Sequence, residues 1–111
     1  MSDTAIRPVA EVLSDFVGRF RPEAAQGLRV VYQLDLTGDE GGVWHLTIAQ
    51  QECKLSTGPA PRADCSFTVA AADWRELVAG RLDALTAFFS GQIQVQGDLS
   101  LAARLESMFA F

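Results

Sequence analysis

Between Ala87 and Asp98 the chain reads Ala-Phe-Phe-Ser-Gly-Gln-Ile-Gln-Val-Gln-Gly-Asp, three local patterns with no spacer between them. Phe88-Phe89 close an apolar helical stretch, and Gly91 suits a helix C-terminus because, lacking a Cβ, it enters the left-handed backbone region freely. Ile93 and Val95 alternate with Gln92, Gln94 and Gln96, the period of a half-buried strand. Gly97-Asp98 then turns the chain, and Asp98 is a good N-cap whose carboxylate complements the positive end of a helix from Leu99 onward. The passage predicts helix, strand, helix, so the chain is neither all-α nor all-β.

Upstream, Val9, Val12, Leu13, Phe16, Val17 and Phe20 recur at three-and-four spacing. This predicts an amphipathic helix over 8–20, with Pro8 in its first turn and Pro22 ending it. A short helical turn is expected from Glu23 to Gln26, stopped by Gly27. From Leu28 the period becomes two: Leu28, Val30, Tyr32, Leu34 and Leu36 share one strand face, and Arg29, Gln33 and Asp35 take the other. The glycine-rich stretch from Thr37 to Gly42 reads as a hairpin loop. Trp44, Leu46 and Ile48 give the return strand, and Cys53 and Leu55 a third strand ending near Gly58. After the Pro59 and Pro61 connector, Cys65, Phe67 and Val69 give a fourth strand. Helices carrying Trp74, Leu77 and Val78 and then Leu85, Phe88 and Phe89 follow, separated near Gly80. The order predicts an α+β fold, a five-stranded sheet with helices on one face.

At 111 residues the chain is expected to form a single domain over 1–111. A formal charge of −5 with scattered Lys and Arg opposes nucleic-acid binding, which needs clustered cations, and weakens docking on anionic membranes. Residues 1–20 hold Asp3, Arg7, Glu11, Asp15 and Arg19 where an apolar signal core would lie, and no stretch has the length of a transmembrane helix. Cys53 and Cys65 read as small buried hydrophobes, so a reducing, cytoplasmic location is expected.

No catalytic or metal motif emerges. His45 points away from the face shared by Trp44, Leu46 and Ile48; a catalytic use would require Asp35 or Asp73, and the simpler reading is a structural sheet histidine. One His and two separated Cys do not make the usual three- or four-ligand metal site. Ser56, Ser66, Ser90 and Ser100 lie outside any G-x-S-x-G setting and read as turn and cap residues. Gly38, Gly41 and Gly42 are not followed by the Lys-Ser or Lys-Thr of a phosphate loop. Neither cofactor, metal nor enzymatic activity is expected.

From Ala63 to Phe109, through Asp64, Gly80 and the 88–98 passage, the sequence resembles the sterol carrier protein-2-like lipid-binding family. The resemblance implies a mixed five-stranded sheet, helices on one side, and an apolar tunnel between the layers that holds lipids and is closed by the C-terminal helix. It also implies a strand order in which Cys53 and Cys65 lie too far apart to bridge. Gln92, Gln94 and Gln96 stand where lysines are common in the family, which argues against more than transient membrane contact.

Under this resemblance Trp44, Leu46, Phe67, Trp74, Leu77, Leu85, Phe88, Phe89, Ile93, Leu105, Met108 and Phe109, otherwise an ordinary core, become candidate ligand-binding residues. Phe88 and Phe89 are adjacent on a helix, so one is expected to face the pocket and the other a helix neighbour. Phe109 and Phe111 are expected to close the pocket or form an exposed apolar patch. The expected function is non-catalytic binding and transfer of a sterol-like, fatty acyl or isoprenoid lipid. The alternatives are a scaffold presenting quinone precursors to biosynthetic enzymes and a homodimeric interaction module.

Overall fold

A computed structural model describes residues 9–39 and 41–109; the expectations on Pro8, Glu40 and Phe111 fall outside them. The chain forms α1 (Val9–Val17), a 3₁₀ turn (Pro22–Ala25), β1 (Val30–Thr37), β2 (Gly42–Ala49), β3 (Glu52–Thr57), β4 (Cys65–Ala70), α2 (Ala71–Val78), α3 (Ala84–Phe89), β5 (Ile93–Gly97) and α4 (Leu99–Met108). The sheet order is β3-β2-β1-β4-β5, with β1 and β4 parallel and the other neighbours antiparallel. This is the expected α+β architecture with a mixed sheet.

Period-two patterning sets which face the helices cover. Val30, Tyr32, Leu34 and Leu36 are buried, whereas Val31, Gln33 and Asp35 between them are only half-buried. Register then aligns apolar rows across strands: Leu34 of β1 faces Phe67 of β4, which faces Val95 of β5. One row over, Leu36, Val69 and Ile93 align in the same way.

α1 is shorter than its apolar spacing predicts. Gly18, Arg19 and Phe20 leave it through successive turns, and Phe20 makes an antiparallel bridge to Phe109 while the Arg21 N–H donates to Met108 O at 2.7 Å. Tertiary pairing therefore overrides the local pattern. Pro22 does not end this helix but opens the 3₁₀ turn, where its missing N–H leaves no bond unmade. Phe109 stacks on Phe16 with ring centroids 4.2 Å apart, and Phe16 meets Trp74 edge-on at 4.9 Å. The two ends of the described chain thus share one aromatic cluster.

Asp64 ties three strands together. Its N–H donates to Val31 O (2.9 Å), its carboxylate accepts from the Val31 N–H (2.8 Å), and its carbonyl accepts from the Asp98 N–H (3.4 Å). Gly97 makes this closure possible: its φ is +100°, and a Cβ there would lie 2.6 Å from Asp64 O. Cys53 and Cys65 are free thiols, separated in the sheet by β2 and β1. Burial pushes the Cys53 thiol up to about 11, and burial first, then Asp98 and Asp64, raises that of Cys65.

Candidate functional site

Between the sheet and the helices lies a cavity of about 280 Å³. Its floor is the aligned sheet face of Leu34, Phe67, Val69, Ile93 and Val95. Its walls are Trp74 and Leu77 from α2, Ala84, Leu85 and Phe88 from α3, and Leu99, Ala102, Ala103 and Leu105 from α4. Every lining side chain is apolar apart from the indole N–H of Trp74. That Nε1 is buried and has no hydrogen-bond acceptor among the described residues.

Two carboxylates set the helices that frame the opening. Asp83 accepts from the Thr86 N–H (2.9 Å) and from Thr86 Oγ1 (3.0 Å), starting α3. Asp98 accepts from the Ser100 N–H (2.9 Å) and from Ser100 Oγ (2.6 Å), starting α4. These bonds favour the ionised form, so both carboxyl groups are held below the usual aspartate range. The Tyr32 hydroxyl donates to Leu101 O at 2.6 Å, fixing α4 to the centre of the sheet. Burial, the largest cause, raises the Tyr32 phenol well above its ordinary value.

Of the twelve candidate binding residues, Phe67, Trp74, Leu77, Leu85, Phe88, Ile93 and Leu105 come together around the cavity. The other five lie elsewhere. Trp44 is half-buried on β2, its ring so close to Gly42 that a Cβ there would sit 2.9 Å from it. Leu46 is fully enclosed in the core. Met108 and Phe109 are buried at the end of α4, Phe109 against Phe16, so Phe109 neither closes the cavity nor forms an exposed patch. Phe88 lines the cavity, but Phe89 is 77% exposed and meets Phe88 edge-on instead of packing on a neighbouring helix.

Sequence reasoning missed Leu34, Val69, Ala84, Val95, Leu99, Ala102 and Ala103. Leu34, Val69 and Val95 share the period of Phe67 and Ile93, so that signal was present. Ala102-Ala103 is a pair of small side chains on α4, facing space that larger ones would occupy.

The other candidate residues, His45 and Asp35, lie outside this lining. His45 Nδ1 lies 2.9 Å from Gly58 O, an acceptor that requires the proton on Nδ1. The Asp35 carboxylate accepts from Gln33 Nε2 at 3.2 Å. Among the described residues no group of three or more His, Cys, Asp or Glu side chains is placed to hold a metal ion, and no helix is long and apolar enough to cross a membrane.

Known proteins share this fold. The chain is 32% identical over 107 residues to hydroxysteroid dehydrogenase-like protein 2 of Danio rerio, covering 96% of this chain and 26% of that one. It thus spans about a quarter of that relative's length. Among solved structures, palmitated SCP2L2 of Aedes aegypti superposes with a TM-score of 0.72 at 24% identity, over 96% of this chain and 95% of that one. A double mutant of the sec-alkyl sulfatase PisA1 reaches 0.81 at 19% identity, over 95% of this chain and 16% of the sulfatase. The SCP-2 sterol transfer family matches residues 17–110, and the chain belongs to that family.

Proposed function

We propose that the cavity takes one lipid with a single hydrocarbon chain, acyl or prenyl, and releases it unchanged. The supporting observation is the lining: sheet and helices enclose about 280 Å³ of apolar space without a charged side chain. Left empty, such a void would cost about 7 kcal/mol at about 24 cal/mol per Å³, comparable with the whole stability of a small domain. The opening toward solvent reduces that cost, and an apolar occupant removes it.

The volume lies at the low end of small-molecule sites. It suits a slender, flexible chain better than a rigid ring system. That the Aedes aegypti neighbour is palmitated is consistent with that preference. With no cation in the lining, an acidic or hydroxylated end group belongs at the mouth, in water. Nothing in the lining supplies a nucleophile or a general base, so the reading is binding and transfer without covalent chemistry.

Ala102→Phe tests it, because the added ring fills the cavity instead of emptying it. Wild type is expected to melt higher with palmitic acid or geranylgeraniol present, since a ligand of the folded state stabilises it. Ala102→Phe should melt at or above the wild-type apo temperature and show no ligand shift. Native mass spectra of freshly purified wild type should carry a lipid mass that the variant lacks. Absence of both the shift and the bound mass in wild type would rule the reading out.

A further inference from the structure

Among the described residues the exposed large apolar side chains are Leu85, Phe88, Phe89 and Leu99, at 59, 38, 77 and 58% of full exposure. All lie on α3 or at the first residue of α4, two helices separated in sequence by β5. Leu85, Phe88 and Leu99 also line the cavity, whose remaining large lining residues on β1, β4 and α2 are buried. The opening of the cavity therefore coincides with the most apolar exposed surface of the described molecule. Phe89 does not reach the cavity and extends that surface outward, so filling the cavity does not cover it.

We propose that this rim is the surface by which the protein docks on a neutral lipid bilayer, and that ligand passes between cavity and bilayer while the rim is covered. This rests on the reading of the cavity as a lipid site. Together the four side chains expose on the order of 400 Å², within the range at which a patch on a monomer is commonly functional. A stable contact with a second copy needs about 800 Å² from each partner, roughly twice what they offer. A bilayer needs no matching surface, and a few apolar side chains at the headgroup boundary suffice for shallow, reversible insertion.

Charge around the rim selects the lipid. The carboxylates of Asp83 and Asp98, which cap α3 and α4, stay ionised under ordinary conditions. Gln94 and Gln96 of β5 are neutral and exposed. Nearby, Arg81 is paired with Glu76 at 2.7 Å. α4 also carries the exposed Arg104, but with Asp83 and Asp98 beside it the rim has no excess of positive charge, so anionic headgroups add little, and docking favours zwitterionic lipid and depends weakly on salt.

Co-sedimentation with phosphatidylcholine vesicles, using ligand-free protein, tests the docking separately from the cavity. Phe89→Ser is the informative variant because Phe89 is exposed and outside the cavity lining. Wild type is expected to partition onto the vesicles and Phe89→Ser at least fivefold less, with Phe89→Leu recovering most of the loss. In vesicle-free solution wild type and Phe89→Ser should take up a fluorescent fatty acid equally. Transfer of that probe between vesicles should slow by the same factor as the partitioning. Equal partitioning of Phe89→Ser and wild type, no partitioning by either, or much tighter binding when phosphatidylserine is added would overturn the proposal. A wild-type dimer that Phe89→Ser dissociates, without vesicle binding, would assign the rim to a second copy instead. Vesicle partitioning lost in Phe89→Ser but no fatty acid uptake by either protein would leave docking standing and sink the cavity reading.

Discussion

Trp74 stands where the cavity meets the core. One part of its ring lines the cavity and another meets Phe16, while its indole N–H is buried without an acceptor. A buried donor left unpaired costs about 1–3 kcal/mol. Trp74→Phe removes that donor together with some ring packing, so its effect on stability is expected to be within about 1 kcal/mol. With the end group at the mouth, the variant should bind a fatty acid and a hydrocarbon of equal length alike; a loss of about fivefold for the fatty acid alone, the scale of one net hydrogen bond, would place its oxygen on this N–H instead. Equal losses for both would show that the indole acts only by filling space. Phe88 and Phe89 mark where reading by residue stops. Their adjacency showed that they diverge, but which one faces inward depends on the placement of β5 beside α3. Gln50 and Gln51 are a second such case: with φ of 53° and 60° they form the tight β2–β3 turn, without the Asn-Gly signal that usually marks it.

At the scale of elements, the passage from Ala87 to Asp98 was legible nearly to the residue, because a positive-φ glycine, a two-residue period and a capping aspartate each have a local cause. α1 was legible in kind but not in length, since Phe20 leaves it to pair with a residue far along the chain. The caps carry a pH dependence. Asp83 and Asp98 have their folded-state pKa values below the unfolded one, so the unfolded chain binds more protons as acid is added. Their contribution is complete above the unfolded pKa and is lost as pH falls below about 4 through the lower folded values. Amide exchange in α3 and α4 is therefore expected to accelerate in that acid range before exchange in β1 and β2. Asp83→Asn with Asp98→Asn keeps both caps without the titrating groups, so this early loosening should vanish. An unchanged exchange profile in the double variant would show that other carboxyl groups control it.

Across the whole molecule, the face the helices cover could be read from β1, where four alternating apolar residues specify it. The cavity was implied by the family resemblance but could not be read from the period, because an apolar side chain that lines a void and one that fills a core obey the same period; Met108 and Leu105, three residues apart on α4, took different roles. What closes the fold is the cluster of Phe16, Phe20 and Phe109. Phe109→Ala is expected to destabilise the protein by about 3–5 kcal/mol, the cost of removing an enclosed aromatic ring. Chemical denaturation should show this as a lower midpoint with an unchanged slope, whereas a loss below about 1 kcal/mol would mean that the C-terminal end is not structurally required.

The parallel pairing of β1 with β4 also orders events in time. The β1-β2-β3 meander needs only short connections, but the other side of β1 stays unpaired until the chain has been made through Ala70. In the finished sheet the edges belong to β3 and β5. On a ribosome, however, the apolar central strand is itself an open edge until the second half emerges, and open edges recruit other strands. The nascent domain therefore carries an unpaired apolar edge from the emergence of β1 until β4 follows, the interval in which a chaperone has most to protect.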